Sequence, residues 1–213
     1  MRVRRGRLHS VGYGLAALVV VSIAIPMPAP GSTVSEQRAL LPEPAECEDP
    51  VTGVWKSHNY NTYQGQWTEF TLEIRRDPDD TRSLQGRILN HSWMATQNFP
   101  EPPPCSGQLR YEVSMDARGS AKEMDVEFWG VGQWRMDQLH CGNSLGFGYN
   151  LDHFSGTIDP EIQEFQSVNN DGGIAVNEPT VFRRIRCFEG PAPLADIEPP
   201  PYQPPRSRGC GLW

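Results

Sequence analysis

The stretch Gln66–Trp93, QWTEFTLEIRRDPDDTRSLQGRILNHSW, constrains the fold more than any other part of the chain. Phe70, Leu72 and Ile74 alternate with Glu69, Thr71, Glu73 and Arg75. Side chains of a strand point to opposite faces with period two, so one face is apolar and the other wet. Asp77-Pro78-Asp79-Asp80 interrupts with turn formers, and Leu84, Gly86 and Ile88 resume the alternation against Gln85 and Arg87. This is the pattern of a half-buried antiparallel hairpin.

The same pattern recurs downstream. Leu109, Tyr111, Val113 and Met115 form one alternating run, Met124, Val126 and Phe128 another, and Asp116-Ala117-Arg118-Gly119 supplies a turn between them. Trp129–Trp134 (WGVGQW) sets two indoles around two glycines. Leu145, Phe147, Tyr149 and Leu151 share a face, as do Phe154, Gly156 and Ile158. Asn169-Asn170-Asp171-Gly172-Gly173 is a turn, and Thr180–Phe188 is the last strand, with Val181, Arg183, Ile185 and Cys187 opposite Phe182, Arg184 and Arg186. Short strands and turns at this density predict an all-β domain: a single antiparallel β-barrel of meander order, or a β-sandwich as second choice.

The domain occupies residues 47–188. Before it, Arg2, Arg4, Arg5 and Arg7 precede the apolar run Leu15–Ile25, which is shorter than the roughly 20 residues a spanning helix needs. Residues 1–31 therefore read as a secretory signal peptide, with Ala29 and Gly31 suited to a cleavage site before Ser32; the alternative is an uncleaved anchor. Residues 32–46 read as a linker, and the proline-rich residues 189–213 as a disordered tail. The chain is expected to be secreted, or to reside in the periplasm or cell envelope.

The formal charge is −7, and loss of the leader's arginines makes the remainder more acidic still. Such a chain repels phosphate backbones and anionic lipid, which argues against nucleic acid as a partner and against membrane insertion of the mature domain. In an exported chain the cysteines are expected to be bridged. Four of them admit three pairings. Joining Cys47 to Cys187 ties the two ends of the domain, which leaves Cys105 with Cys141 and Cys210 unpaired in the tail. No CxxC pair is present to suggest zinc or thiol redox chemistry.

Gly53-Val54-Trp55 on a first strand, a meander of hairpins and arginines on the closing strand resemble a calycin, the superfamily of lipocalins and avidins. The resemblance implies a barrel whose first-strand indole, here Trp55, packs under a cation from a late strand, here Arg183, Arg184 or Arg186. It also implies a cavity if the mouth is open. The pattern departs from that family in showing more than eight strand candidates.

Candidate chemistry is sparse. Trp129, Trp134, Trp93 and Tyr149 are the aromatic residues expected to contact a ligand, by stacking on a sugar ring or lining an apolar pocket. His58, His91, His140 and His153 are scattered, with no helical i, i+4 pair. Ser167–Glu178 (SVNNDGGIAVNE) partly matches a calcium loop, with Asn169, Asp171 and Glu178 at ligand positions, but a neutral serine stands at the first position and a plain turn accounts for the stretch equally. No cofactor is expected. The sequence points to a non-enzymatic barrel that binds a small apolar ligand or a glycan, or serves as an envelope interaction module. An inhibitor of an extracellular protease, using the loop Phe99–Pro104, is the alternative, and a hydrolase of unspecified class comes third.

Overall fold

The computed structural model describes residues 32–105, 108–141, 148–173 and 176–188. It contains one helix, α1 (Val34–Leu40), and nine runs of strand: β1 (Gly53–Lys56), β2 (Asn59–Asn61), β3 (Gln66–Arg76), β4 (Ser83–Met94), β5 (Arg110–Lys122), β6 (Asp125–Cys141), β7 (His153–Asp159), β8 (Glu164–Asn169) and β9 (Glu178–Arg186). From β2 to β9 each strand pairs antiparallel with the next in the chain, and β1 pairs with both β3 and β9, so the sheet closes on itself. β1 lies opposite Thr71–Ile74 and β2 opposite Gln66–Thr68. They are two halves of one barrel strand, interrupted at Ser57 and His58. The fold is an eight-stranded antiparallel meander barrel, and closure rules out the sandwich. The surplus of strand candidates in the sequence disappears because Trp129–Trp134 continues β6 and the run at 145–151 adds no strand where it is described.

One end of the barrel is a packed floor. Phe70, Leu72, Ile74, Ile88, Met115, Phe128, Phe154, Phe165 and Phe182 all point inward and are buried. Phe154 packs edge-on against Phe70 and Phe182, with both centroid separations 4.9 Å. Burial of each such ring contributes about 1.5–3 kcal/mol. Trp55 is fully buried and donates from Nε1 to the Val51 carbonyl at 3.0 Å. The Arg184 guanidinium lies 5.1 Å from its ring centroid. Of the three candidate arginines, Arg184 is thus the one that turns inward. Arg183 pairs with Glu164 at 2.8 Å and Arg186 is exposed. Arg184 also donates to the carbonyls of Asp49 and Thr52 and to Gln163 Oε1.

Both disulfides have the expected partners, Cys47 with Cys187 and Cys105 with Cys141. The first joins the chain ahead of β1 to the chain after β9. Two bridges indicate an oxidising, extracytoplasmic environment. Among the described residues no helix is long and apolar enough to cross a membrane. The signal peptide expected at residues 1–31, the disordered tail expected at 189–213 and Cys210 lie outside the described residues.

Four local expectations need correction. Asp116–Gly119 is not a turn: β5 runs through it, and the chain reverses at Glu123, whose φ is 58°. Gly119 is there for space, since a Cβ would stand 2.3 Å from the Glu127 carbonyl oxygen and 2.8 Å from the Phe128 ring. The run at 145–151 is not a strand where it is described, from Gly148 on; Leu145 and Phe147 lie outside the described residues. β8 is a strand that the alternation did not announce.

The fourth correction concerns residues 32–46, which are part of the barrel wall and not a linker. Toward the open end, β2 and β9 do not pair with each other, leaving a seam. Thr33 and Glu36 form a reciprocal capping box that starts α1. Gln37, buried, then spans the seam: its Nε2 donates to the Pro179 carbonyl at 2.8 Å, and its Oε1 accepts from the Val181 N–H at 2.9 Å. On the other side Ser32 N donates to the Tyr60 carbonyl at 2.8 Å, and its hydroxyl accepts from the Tyr60 N–H. Arg38 anchors the helix to Glu164 at 2.8 Å.

Candidate functional site

Above the phenylalanine floor the inward positions change character. On β3 the inward series Ile74, Leu72, Phe70 continues as Thr68 and Gln66. On β4 the series Leu84, Ile88 continues as Asn90 and Ser92. Tyr111 of β5, Asn59 and Asn61 of β2, Asn169 of β8 and Glu178 and Thr180 of β9 complete the ring, together with Tyr149, Asn150, Asp152 and Asp171. Together they enclose a cavity of about 420 Å³ at the open end, within the usual size range of small-molecule pockets. Its described lining contains no lysine, arginine or histidine.

Hydrogen bonds fix much of this lining. Ser92 Oγ donates to Asn90 Oδ1 at 2.7 Å and lies 3.1 Å from Thr68 Oγ1. Gln66 Nε2 donates to the Tyr111 hydroxyl at 3.2 Å. Two acceptors remain unpartnered although buried, Asn59 Oδ1 and Glu178 Oε1, one on each side of the seam. Burial also raises the Glu178 carboxyl above its ordinary range, partly offset by a hydrogen bond from Asn61.

Asp152 is the group most changed by this environment. It is 1% exposed. Tyr149 donates to its Oδ2 at 2.8 Å and Asn169 Nδ2 donates to its Oδ1 at 3.0 Å. Desolvation outweighs these bonds and pushes its pKa up to about 7. The Tyr149 hydroxyl is raised well above its usual range by burial and by Asp152 beside it. Near neutral pH Asp152 can therefore donate a hydrogen bond as well as accept one.

A folded-state pKa above the unfolded value means that the folded protein retains a proton the unfolded chain releases. The associated stability is complete below about pH 4 and is lost as pH rises through about 7. We expect Asp152→Asn, which cannot ionise and which can accept from Asn169 through Oδ1 while its Nδ2 donates to the Tyr149 hydroxyl, to lie close to the wild type at pH 4 and exceed it at pH 8 by a few kcal/mol, up to roughly 4. Urea denaturation at the two pH values checks this; equal differences at both would show that Asp152 ionises normally.

The aromatic residues singled out from the sequence do not form one site. Tyr149 lines the cavity, and Trp134 packs beside it with ring centroids 6.0 Å apart. Trp129 is outside, against His153 at 5.9 Å, in an adjoining surface depression that shares Asp152 and Asp171. Trp93 is 1% exposed, on the outer face of β4 beneath the proline-rich loop. That loop is pinned by Cys105–Cys141, and Phe99 on it is 64% exposed. The calcium-loop match falls on the β8–β9 hairpin, with strands on both sides where a calcium loop of that type has helices. Asn169 Oδ1 accepts from the His153 N–H and Asp171 Oδ1 from the Gly173 N–H.

Comparison with family models, with curated proteins and with solved structures finds no match. The cavity must therefore be interpreted from its own chemistry. Asn59, Asn61, Gln66, Asn90 and Asp152 were not singled out in the sequence. The signal they leave is a reversal: on β3 and β4 the apolar residues sit at inward positions near the floor and at outward ones, Trp67 and Trp93, near the mouth.

Proposed function

We propose that the protein is an extracytoplasmic binding barrel, secreted or held in the cell envelope, whose mouth takes a small neutral ligand rich in hydroxyl or amide groups, such as one sugar unit of a glycan. The observation that carries this reading is the cavity lining: side-chain amides, hydroxyls and carboxyls, with the rings of Tyr111, Tyr149 and Phe70 as its apolar surfaces. Amides and carboxyls can receive vicinal hydroxyls in pairs, and a tyrosine ring can cover the apolar face of a pyranose. Asp152, Asp171 and Glu178 disfavour an anion. An apolar ligand fits poorly, because it would cover Gln64, Thr68, Asn150 and Asp171 without replacing their contacts with water. The calycin-like architecture belongs to this proposal, supported by Arg184 under the Trp55 indole.

Ligand-observed magnetic resonance with neutral sugars, N-acetylglucosamine first, tests it. Binding should occur at the wild-type barrel and weaken by about tenfold or more in Asn90→Leu, the usual consequence of removing one buried polar contact. Binding of fatty acids in place of sugars would overturn the reading. Conversion of a bound sugar to product would reassign the site to catalysis by Asp152. A second reading, inhibition of an extracellular protease, is favoured by Phe99 alone, presented on a disulfide-pinned loop. It requires that Phe99→Ala abolish inhibition in an assay with a chymotrypsin-like enzyme.

A further inference from the structure

We propose that the outer wall of the barrel carries a divalent transition-metal site made by His91, Glu112 and His140, with zinc as its natural occupant. Among the described residues, these three bring their donor atoms within 4.8 Å of one another. All three are half-buried. They come from three adjacent strands: His91 of β4 stands directly opposite Glu112 of β5, and His140 belongs to β6.

The placement of His140 depends on an irregularity in the sheet. Arg110 pairs with Cys141 and Tyr111 with Leu139, so His140 is an extra residue with no partner of its own. A bulge of this kind re-aims a side chain, and here the His140 Nε2 comes to 2.6 Å from Glu112 Oε1. The next residue, Cys141, is bridged to Cys105, which fixes the bulge. The His91 and His140 rings lie 5.8 Å apart between centroids. The donors thus stand on strands rather than a loop and need only side-chain adjustment to meet one ion.

Two imidazoles and one carboxylate suit zinc, and also copper(II) or nickel(II), better than calcium or magnesium, which prefer oxygen alone. Three protein ligands leave a fourth tetrahedral position for water. Glu69 approaches His91 Nδ1 at 3.9 Å, where a carboxylate can orient a metal-binding imidazole. Arg110 opposes the site: its Nε donates to His91 Nε2 at 3.0 Å, a bond that a metal bound through that nitrogen displaces. The site lies on the outside of the wall and shares no residue with the cavity lining, so it stands independently of the sugar-binding proposal.

The test uses tag-free, metal-stripped protein titrated with zinc by calorimetry, and with cobalt(II) followed by visible absorption. One zinc per chain should bind, and cobalt should give the intense visible bands of tetrahedral coordination. Loss of an outer partner typically weakens a metal site about 10–100-fold, so His91→Ala and His140→Ala, which remove ligands, should each cost on the order of a hundredfold or more. Glu112→Gln keeps the shape of the wall and should also weaken binding. Arg110→Ala removes a competing cation and its hydrogen bond to His91 Nε2, and should tighten it. Absence of stoichiometric binding overturns the proposal, as does zinc affinity unchanged in Glu112→Gln but lost in the cavity variant Asp171→Asn. If a histidine variant fails to fold, the Glu112 and Arg110 variants decide.

Discussion

Replacing Cys47 and Cys187 together with serine should lower the stability of the barrel by about 5 kcal/mol on the chain-entropy model. The bridge spans 140 residues. Removing it frees nearly the whole domain in the unfolded state, where most of the effect arises. The inner bridge spans 36 residues. Its replacement should cost less, about 4 kcal/mol, on the same model. Either loss is large beside the roughly 5–15 kcal/mol that holds a typical domain together. Urea midpoints for the two double variants give the order. If the inner pair proved the costlier, native-state anchoring of the proline-rich loop would have to outweigh the entropy of the open chain.

The second large effect is expected at Arg184. Its guanidinium is buried against Trp55 and serves the carbonyls of Asp49 and Thr52 and the side chain of Gln163. Arg184→Ala should cost about 3–5 kcal/mol, because it opens a cavity beside the indole and leaves buried acceptors unpaired. Arg184→Met restores most of the packing and none of the hydrogen bonds, so it should fall between the wild type and alanine. Chemical denaturation of both variants separates the contributions. A methionine variant as stable as the wild type would mean that those carbonyls find water, and that the arginine contributes through packing alone.

The floor of the barrel was legible because there burial and alternation agree: Phe70, Leu72 and Ile74 announce β3, and Phe154 and Ile158 announce β7. β8 was not legible. Its inward series is Phe165, Ser167 and Asn169, and its first residue, Glu164, is a buried charge held by Arg38 and Arg183. Such a run carries too little apolar contrast to show its period. Asp116–Gly119 misled in the opposite way, because glycine chosen for close packing looks the same in sequence as glycine chosen for a turn. The cavity was hidden for a related reason. A hollow barrel end needs polar residues at inward positions, and polar residues at alternate positions read as a wet outer face. Trp67 and Trp93 then seem to mark the interior when they lie under an external loop. The histidine–carboxylate cluster depends on cross-strand register and on one bulge, neither of which a single chain of letters displays. The pairing of the cysteines, by contrast, was one of three the sequence allowed, preferred because Cys47 and Cys187 stand at the two ends of the domain.

The seam between β2 and β9 gives the barrel a direction of opening. At the floor, β1 and β9 are joined by ladder hydrogen bonds and, just beyond, by Cys47–Cys187. At the mouth, the backbone groups of Pro179 and Val181 are met by one glutamine side chain, and those of Tyr60 by one serine. A clasp of single residues can release without unfolding a strand, so fluctuations should part the wall from the rim downward and stop at the bridge. In amide exchange, Tyr60 and Val181 should lose protection together and well before Trp55 and Arg184. Ser32–Gln37 hold that clasp shut, so trimming the chain past Gln37 would convert a closed cup into one with a slit side.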